Sequence, residues 1–185
     1  MNCFFRKLKA LRSSNGHPTP IHPVLAARIL EWQAGDDGSL GTAETVLARK
    51  YKTLREHFDA QPVTLSSVKV LMAGVQAISR KHYVSESVEN WANLADVLTA
   101  NQDDCDGLDL LAFWALRDAG EPARRAVYRN TSTGMGHMVT LWDHSGRTYI
   151  LDPTGAMSTR VNKVSWLRTW ELIAEFAEEK GKDDD

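Results

Sequence analysis

A thiol that can ionise, an imidazole to take its proton, and a carboxylate to orient the imidazole are one set of groups able to break an amide bond without a metal. The stretch Asn101-Gln-Asp-Asp-Cys-Asp-Gly107 supplies the thiol, Cys105, flanked by Asp103, Asp104 and Asp106. Acid beside a thiol disfavours the thiolate. A helix start works the other way, because unpaired backbone N–H groups and the helix dipole favour negative charge. Gly136-His137 opens one apolar run and Asp152 closes another. An imidazole bonded to a carboxylate through one nitrogen keeps the other nitrogen as a base. The backbone N–H of Cys105 can donate to an oxyanion, with Gln102 as a second donor. Taken singly, each residue has a plainer reading: a packed thiol, a structural histidine, a turn aspartate before Pro153.

The elements around these residues must bring them together. Leu108, Leu111, Ala112, Ala115 and Leu116 trace one helix face, and Phe113 and Trp114 widen it. A helix from Cys105 to the stop at Gly120 is therefore expected to be buried on most sides. Before it, helices are expected over Ile21–Gln33, from a cap at Thr42 to His57, from Leu65 through Ile78, and over Val88–Ala100. After it, Ala123–Tyr128, His137–Trp142 and Thr148–Leu151 read as strands. With Asp143–Gly146 as a four-residue loop, Trp142 faces Arg147 and the same register sets His137 directly across from Asp152. Opposed residues share a face with Cβ atoms about 4.5–5.5 Å apart. Val164–Ala177 carries Trp166, Leu167, Trp170, Ile173 and Ala174 at helical spacing and is expected to close the chain as a helix. The fold class is α+β: a helical N-terminal half, a central helix carrying the cysteine, and an antiparallel sheet.

Composition narrows the function. The 185 residues are 43% apolar and 25% charged, enough for one well-formed core. A net charge of -2 argues against nucleic-acid binding. No apolar run approaches the roughly 20 residues of a transmembrane helix. The opening MNCFFRKLKALRSS places its apolar pair ahead of its charges, the wrong order for a secretory signal. A cytoplasmic or virion-associated location is expected rather than secretion. Two cysteines, one at the extreme terminus, make no disulfide framework and no Cys-rich zinc site. The expected organisation is a peripheral segment over 1–20, N-terminal helices over 21–60, a catalytic core over 61–180 and a disordered tail over 181–185.

In order along the chain stand Trp91, Asp104-Cys105-Asp106, Ala119-Gly120-Glu121-Pro122, Gly136-His137 and Ile150-Leu151-Asp152. This ordered set resembles the bacterial transglutaminase-like cysteine peptidases, over about residues 65–177. The resemblance implies a papain-like, transglutaminase-core fold with Cys105, His137 and Asp152 as its triad. It implies a peptidase acting on a protein or peptide, with no cofactor required. It also implies calcium at Asp104 and Asp106, as in adhesin-releasing relatives. The residues themselves read more simply with Asp103 and Asp104 as helix caps that complement the dipole. The chain departs from the family pattern at three points. Asp103 stands where the family has glycine, Gly107 where it has a second acid, and Pro153 where it commonly has asparagine. Two alternatives remain open: a transglutaminase or amidase that passes the acyl group to an amine, and an inactive, phage-related binding or assembly module on the same scaffold.

Overall fold

The computed structural model describes residues 36–85 and 92–176. Cys3, the expected Ile21–Gln33 helix, Trp91 and the 181–185 tail lie outside them.

Four helices precede the sheet among the described residues, and each begins at a residue able to cap it. In α1 (Val46–Asp59), the Thr45 side chain accepts from the Ala48 N–H at 3.1 Å. In α2 (Leu65–His82), Thr64 and Ser67 cap reciprocally, each side chain accepting from the other's backbone N–H. In α3 (Leu94–Ala100), Asn93 accepts from Asp96 N–H at 2.9 Å, and Asn101 ends the helix in a left-handed conformation. In α4 (Cys105–Asp118), Asp104 is the cap. The expected start of α1 at Thr42 thus falls at Thr45. Such caps are worth about 1 kcal/mol each.

Helix α4 is the axis of the molecule. Every residue from Cys105 to Leu116 is buried, as its all-round apolar pattern requires. Tyr51 of α1 donates its hydroxyl to the Leu111 carbonyl at 2.8 Å, and burial pushes that phenol up to about 12. Leu71, Val75, Leu94 and Leu98 join Leu108, Leu111 and Phe113 in one apolar cluster. Burying each such side chain stabilises the fold by about 1.5–3 kcal/mol.

An antiparallel five-stranded sheet covers the other side of α4, in the order β4-β3-β2-β1-β5. Its strands are β1 (Ala123–Asn130), β2 (Gly136–His144), β3 (Arg147–Leu151), β4 (Asn162–Lys163) and β5 (Trp170–Phe176). On the face away from α4, Ala126, Tyr128, Val139, Leu141 and Ile150 are covered by Met157, Val164, Leu167 and Trp170.

Two expectations are corrected. The segment read as a closing helix is a 3₁₀ turn at Val164–Trp166 followed by strand β5 on β1. Pairing with the free edge of β1 overrides the helical spacing of Trp170, Ile173 and Ala174. The β2–β3 connection is a two-residue turn, not a four-residue loop. Ser145 and Gly146 both have positive φ (51° and 70°), and His144 faces Arg147. Positive φ at both central residues gives the turn whose twist suits a tight hairpin. Trp142 therefore faces Tyr149 rather than Arg147.

Candidate active site

The shifted register still brings His137 to Asp152. His137 Nε2 lies 2.8 Å from Asp152 Oδ1, both side chains buried. The hairpin error was an even number of residues, and an even shift keeps every side chain on its face. The two residues meet diagonally instead of directly opposite. Bonding through Nε2 leaves Nδ1 as the nitrogen able to take a proton. The His137 ring also lies 6.0 Å from that of Trp170, centroid to centroid, at the start of β5.

Asp152 is held by more than the imidazole. Its Oδ1 accepts from the N–H groups of Thr154 (3.0 Å) and Gly155 (2.9 Å), and its Oδ2 from those of Met157 (2.6 Å) and Ser158 (3.0 Å). Burial raises the carboxyl's pKa, but His137 and these backbone donors outweigh it and hold the group below the ordinary carboxylate value. Asp152 is therefore a fixed anion around which residues 152–158 are wound.

Cys105 opens α4 and is 1% exposed. It sits in an apolar cluster with Val127, Met138 and Phe176, and Tyr83, Ile173 and Ala174 pack against that cluster. Of β2, Met138, the chain neighbour of His137, is the residue in this cluster. Two of the three expected residues are thus in hydrogen-bond contact, while Cys105 clusters with Met138, the residue after His137, whose side chain leaves the strand on the opposite face. Gln102, the expected second oxyanion donor, is exposed just ahead of the helix.

The acids around Cys105 have distinct tasks. Asp104 accepts from the Asp106 N–H at 3.3 Å and caps α4, while Asp103 accepts from the Asp104 N–H at 2.7 Å. The Asp103 carboxylate lies over Gly107: a Cβ there would stand 2.2 Å from Asp103 Cγ. The two departures around the cysteine are therefore one feature in space. The carboxylate carried at 103 fills the room that a side chain at 107 would need. Asp106 is driven well above the ordinary carboxylate range by burial, by its hydrogen bond to Asp104, and by the charges of Asp104 and Asp103.

Two parts of the site were not anticipated. Asp109 and Arg125 form a fully buried ion pair at 2.9 Å, Thr140 Oγ1 donates to Asp109 at 2.7 Å, and Arg125 Nη2 donates to the Asp106 carbonyl at 2.5 Å. Burial raises Asp109's pKa, with Arg125 and Thr140 opposing. This group fastens the first turn of α4 to β1 and β2. An aspartate inside Leu108-Asp-Leu-Leu-Ala-Phe-Trp114 was the available signal, since a carboxylate in such a run needs a buried partner. The other is Gln76 of α2, whose Nε2 donates to the Asp152 carbonyl at 2.8 Å.

The chain has the transglutaminase-like, papain-like α+β fold. Among solved structures it is similar to LapG of Legionella pneumophila, with a TM-score of 0.59 at 14% identity, over 76% of this chain and 81% of LapG. Calcium-bound LapG gives the same score and identity over 80% of this chain and 83% of LapG. At that identity the likeness is one of fold. No protein-family profile matches the chain, and no curated protein does.

Proposed function

We propose that this protein is a cysteine acyl-transfer enzyme, a peptidase acting on protein or peptide amides, with Cys105 as nucleophile, His137 as base and Asp152 as orienter. The observation that carries this reading is the buried His137 Nε2–Asp152 Oδ1 contact, formed from β2, the strand on which the helix opened by Cys105 packs. Asp152 holds the proton on Nε2. His137 Nδ1 takes the Cys105 proton, and the thiolate adds to the amide carbonyl. Backbone N–H groups at the start of α4 steady the oxyanion. The C–N bond breaks as His137 returns the proton to the leaving amine. Water then adds to the thioester, giving its proton to His137, and the acid leaves as the thiol re-forms.

The test is the pH profile of iodoacetamide labelling at Cys105, read with cleavage of a fluorogenic peptide library. Labelling with a midpoint well under about 8.5, lost in Cys105→Ala and moved upward in His137→Ala, supports the triad. Normal cleavage by Cys105→Ala overturns it. The burial of Cys105 at 1% exposure favours a second reading, a non-catalytic binding module. A thiol that titrates above about 8.5 and labels slowly would select that reading. Incorporation of a labelled primary amine into a glutamine-rich acceptor protein separates amine transfer from hydrolysis.

The same reading takes in calcium. Asp104 and Asp106 are buried carboxylates with oxygens within 4.8 Å of each other and of the Cys105 sulfur. Oxygen donors of this kind suit Ca²⁺. Burial, then the hydrogen bond to Asp104, then the charges of Asp104 and Asp103 lift Asp106, and a cation would offset the charge among them. LapG exists in a calcium-bound form, which supports the assignment. Bound there, the ion would offset acidic charge next to a thiolate. Titration calorimetry with calcium chloride should show binding that Asp104→Asn and Asp106→Asn each weaken at least about tenfold. Equal affinity in both variants would remove the ion from this site.

A further inference from the structure

We infer that Gln76 is a positioning residue: its side-chain amide clips shut the loop that encloses Asp152 and so keeps the His137 proton on Nε2. The inference rests on the triad reading above and extends it to a residue on α2. Gln76 is 7% exposed on a helix face otherwise packed in the core, where a polar side chain needs partners. Its Nε2 donates to the Asp152 carbonyl at 2.8 Å and to the Ser158 carbonyl at 3.2 Å. Those two residues begin and end the loop. Between them, four backbone N–H groups turn inward onto the Asp152 carboxylate.

The chemistry of the clip follows from donor count. Two carbonyls directed at one point present acceptor to acceptor, and a neutral NH₂ group offers one hydrogen to each. Without it, the loop ends would part and the four inward N–H groups would lose their common alignment. The carboxylate they hold would then swing relative to β2. The His137 Nε2–H bond is the contact that reads this motion, because a carboxylate free to turn no longer selects one imidazole tautomer. Gln76 touches neither the thiol nor the space beside it in any contact found, so its influence runs through Asp152.

The experiment uses the full chain with ¹⁵N-labelled histidine. In the wild-type protein, above the pH at which the ring loses its second proton, the two His137 nitrogens should show the separate shifts of a fixed Nε2–H tautomer. In Gln76→Met, which keeps the volume and removes both donors, those shifts should move toward averaging. The amides of Met157 and Ser158 should also exchange roughly tenfold faster. A folded Gln76→Met that keeps wild-type shifts and protection overturns the proposal. Should that variant fail to fold, the smaller, uncharged Gln76→Ala, which also removes both donors, is read by the same two criteria. Iodoacetamide labelling keeps the two ideas apart. A wild-type Cys105 that resists the reagent sinks the triad, and with it the catalytic purpose of the clip, even if the shifts respond to Gln76.

Discussion

Around Cys105, single atoms decide what substitution is possible. Gly107→Ala would place a methyl group 2.2 Å from Asp103 Cγ, so either the carboxylate or the helix start must move. We expect a loss of about 1–3 kcal/mol, read as a lower melting temperature. Asp103→Gly combined with Gly107→Ala should recover part of it, because Asp103 Cβ as well as Cγ crowds the methyl, at 2.8 and 2.2 Å. Arg125→Met strands Asp109 as a buried, unpaired anion and should cost about 3–5 kcal/mol in urea unfolding. Pairing it with Asp109→Leu should return most of that loss. At this scale Cys105, His137 and Asp152 stood out as candidates because their types are uncommon and their order along the chain is telling, and the meeting of His137 with Asp152 is the part of that expectation the structure contains. Gln76 did not, because its partners are main-chain carbonyls, which every residue carries alike. Asp103 and Gly107 were visible as oddities, but their relation exists only once the helix start has folded.

Elements were readable in proportion to how local their causes are. The buried helix α4 follows from its own apolar surround, and strands β1 to β3 from alternation and turn residues. Strand β5 fails that test: its fate is set by the unpaired edge of β1, a partner distant in sequence. The irregular register between β5 and Val127/Tyr128 blurs its alternation further. The hairpin shows a subtler limit. Asp143-His-Ser-Gly146 has turn residues enough for either a two- or a four-residue loop, and only the pairing of His144 with Arg147 chooses. Both choices have the same parity, which is why the expected meeting of His137 and Asp152 survived the wrong register. Ser145 is a non-glycine residue at a φ of 51°. Ser145→Asn, better suited to that conformation, should stabilise the protein by about 0.5 kcal/mol without changing Cys105 labelling.

For the molecule as a whole, the balance of buried carboxylates sets its response to acid. Asp152 is held below the ordinary carboxylate pKa by His137 and four N–H donors. A depressed folded-state pKa stabilises the native chain above the unfolded value, near 3.9, and that contribution is lost as pH falls through the lower folded value. Wild type should therefore exceed Asp152→Asn in urea stability at pH 6, and the gap should narrow steadily toward pH 3. A gap that stays constant would show that Asp152 contributes by packing alone. The placement of β5 has a different kind of consequence, one of timing. Phe176 helps form the cluster around Cys105, yet it comes after every other described residue in the chain. On the ribosome the N-terminal parts emerge and fold first. The chamber around the thiol is therefore incomplete until the closing strand has been made and has found β1. A chain built in this order leaves the cluster around Cys105 open until residue 176 has emerged and paired.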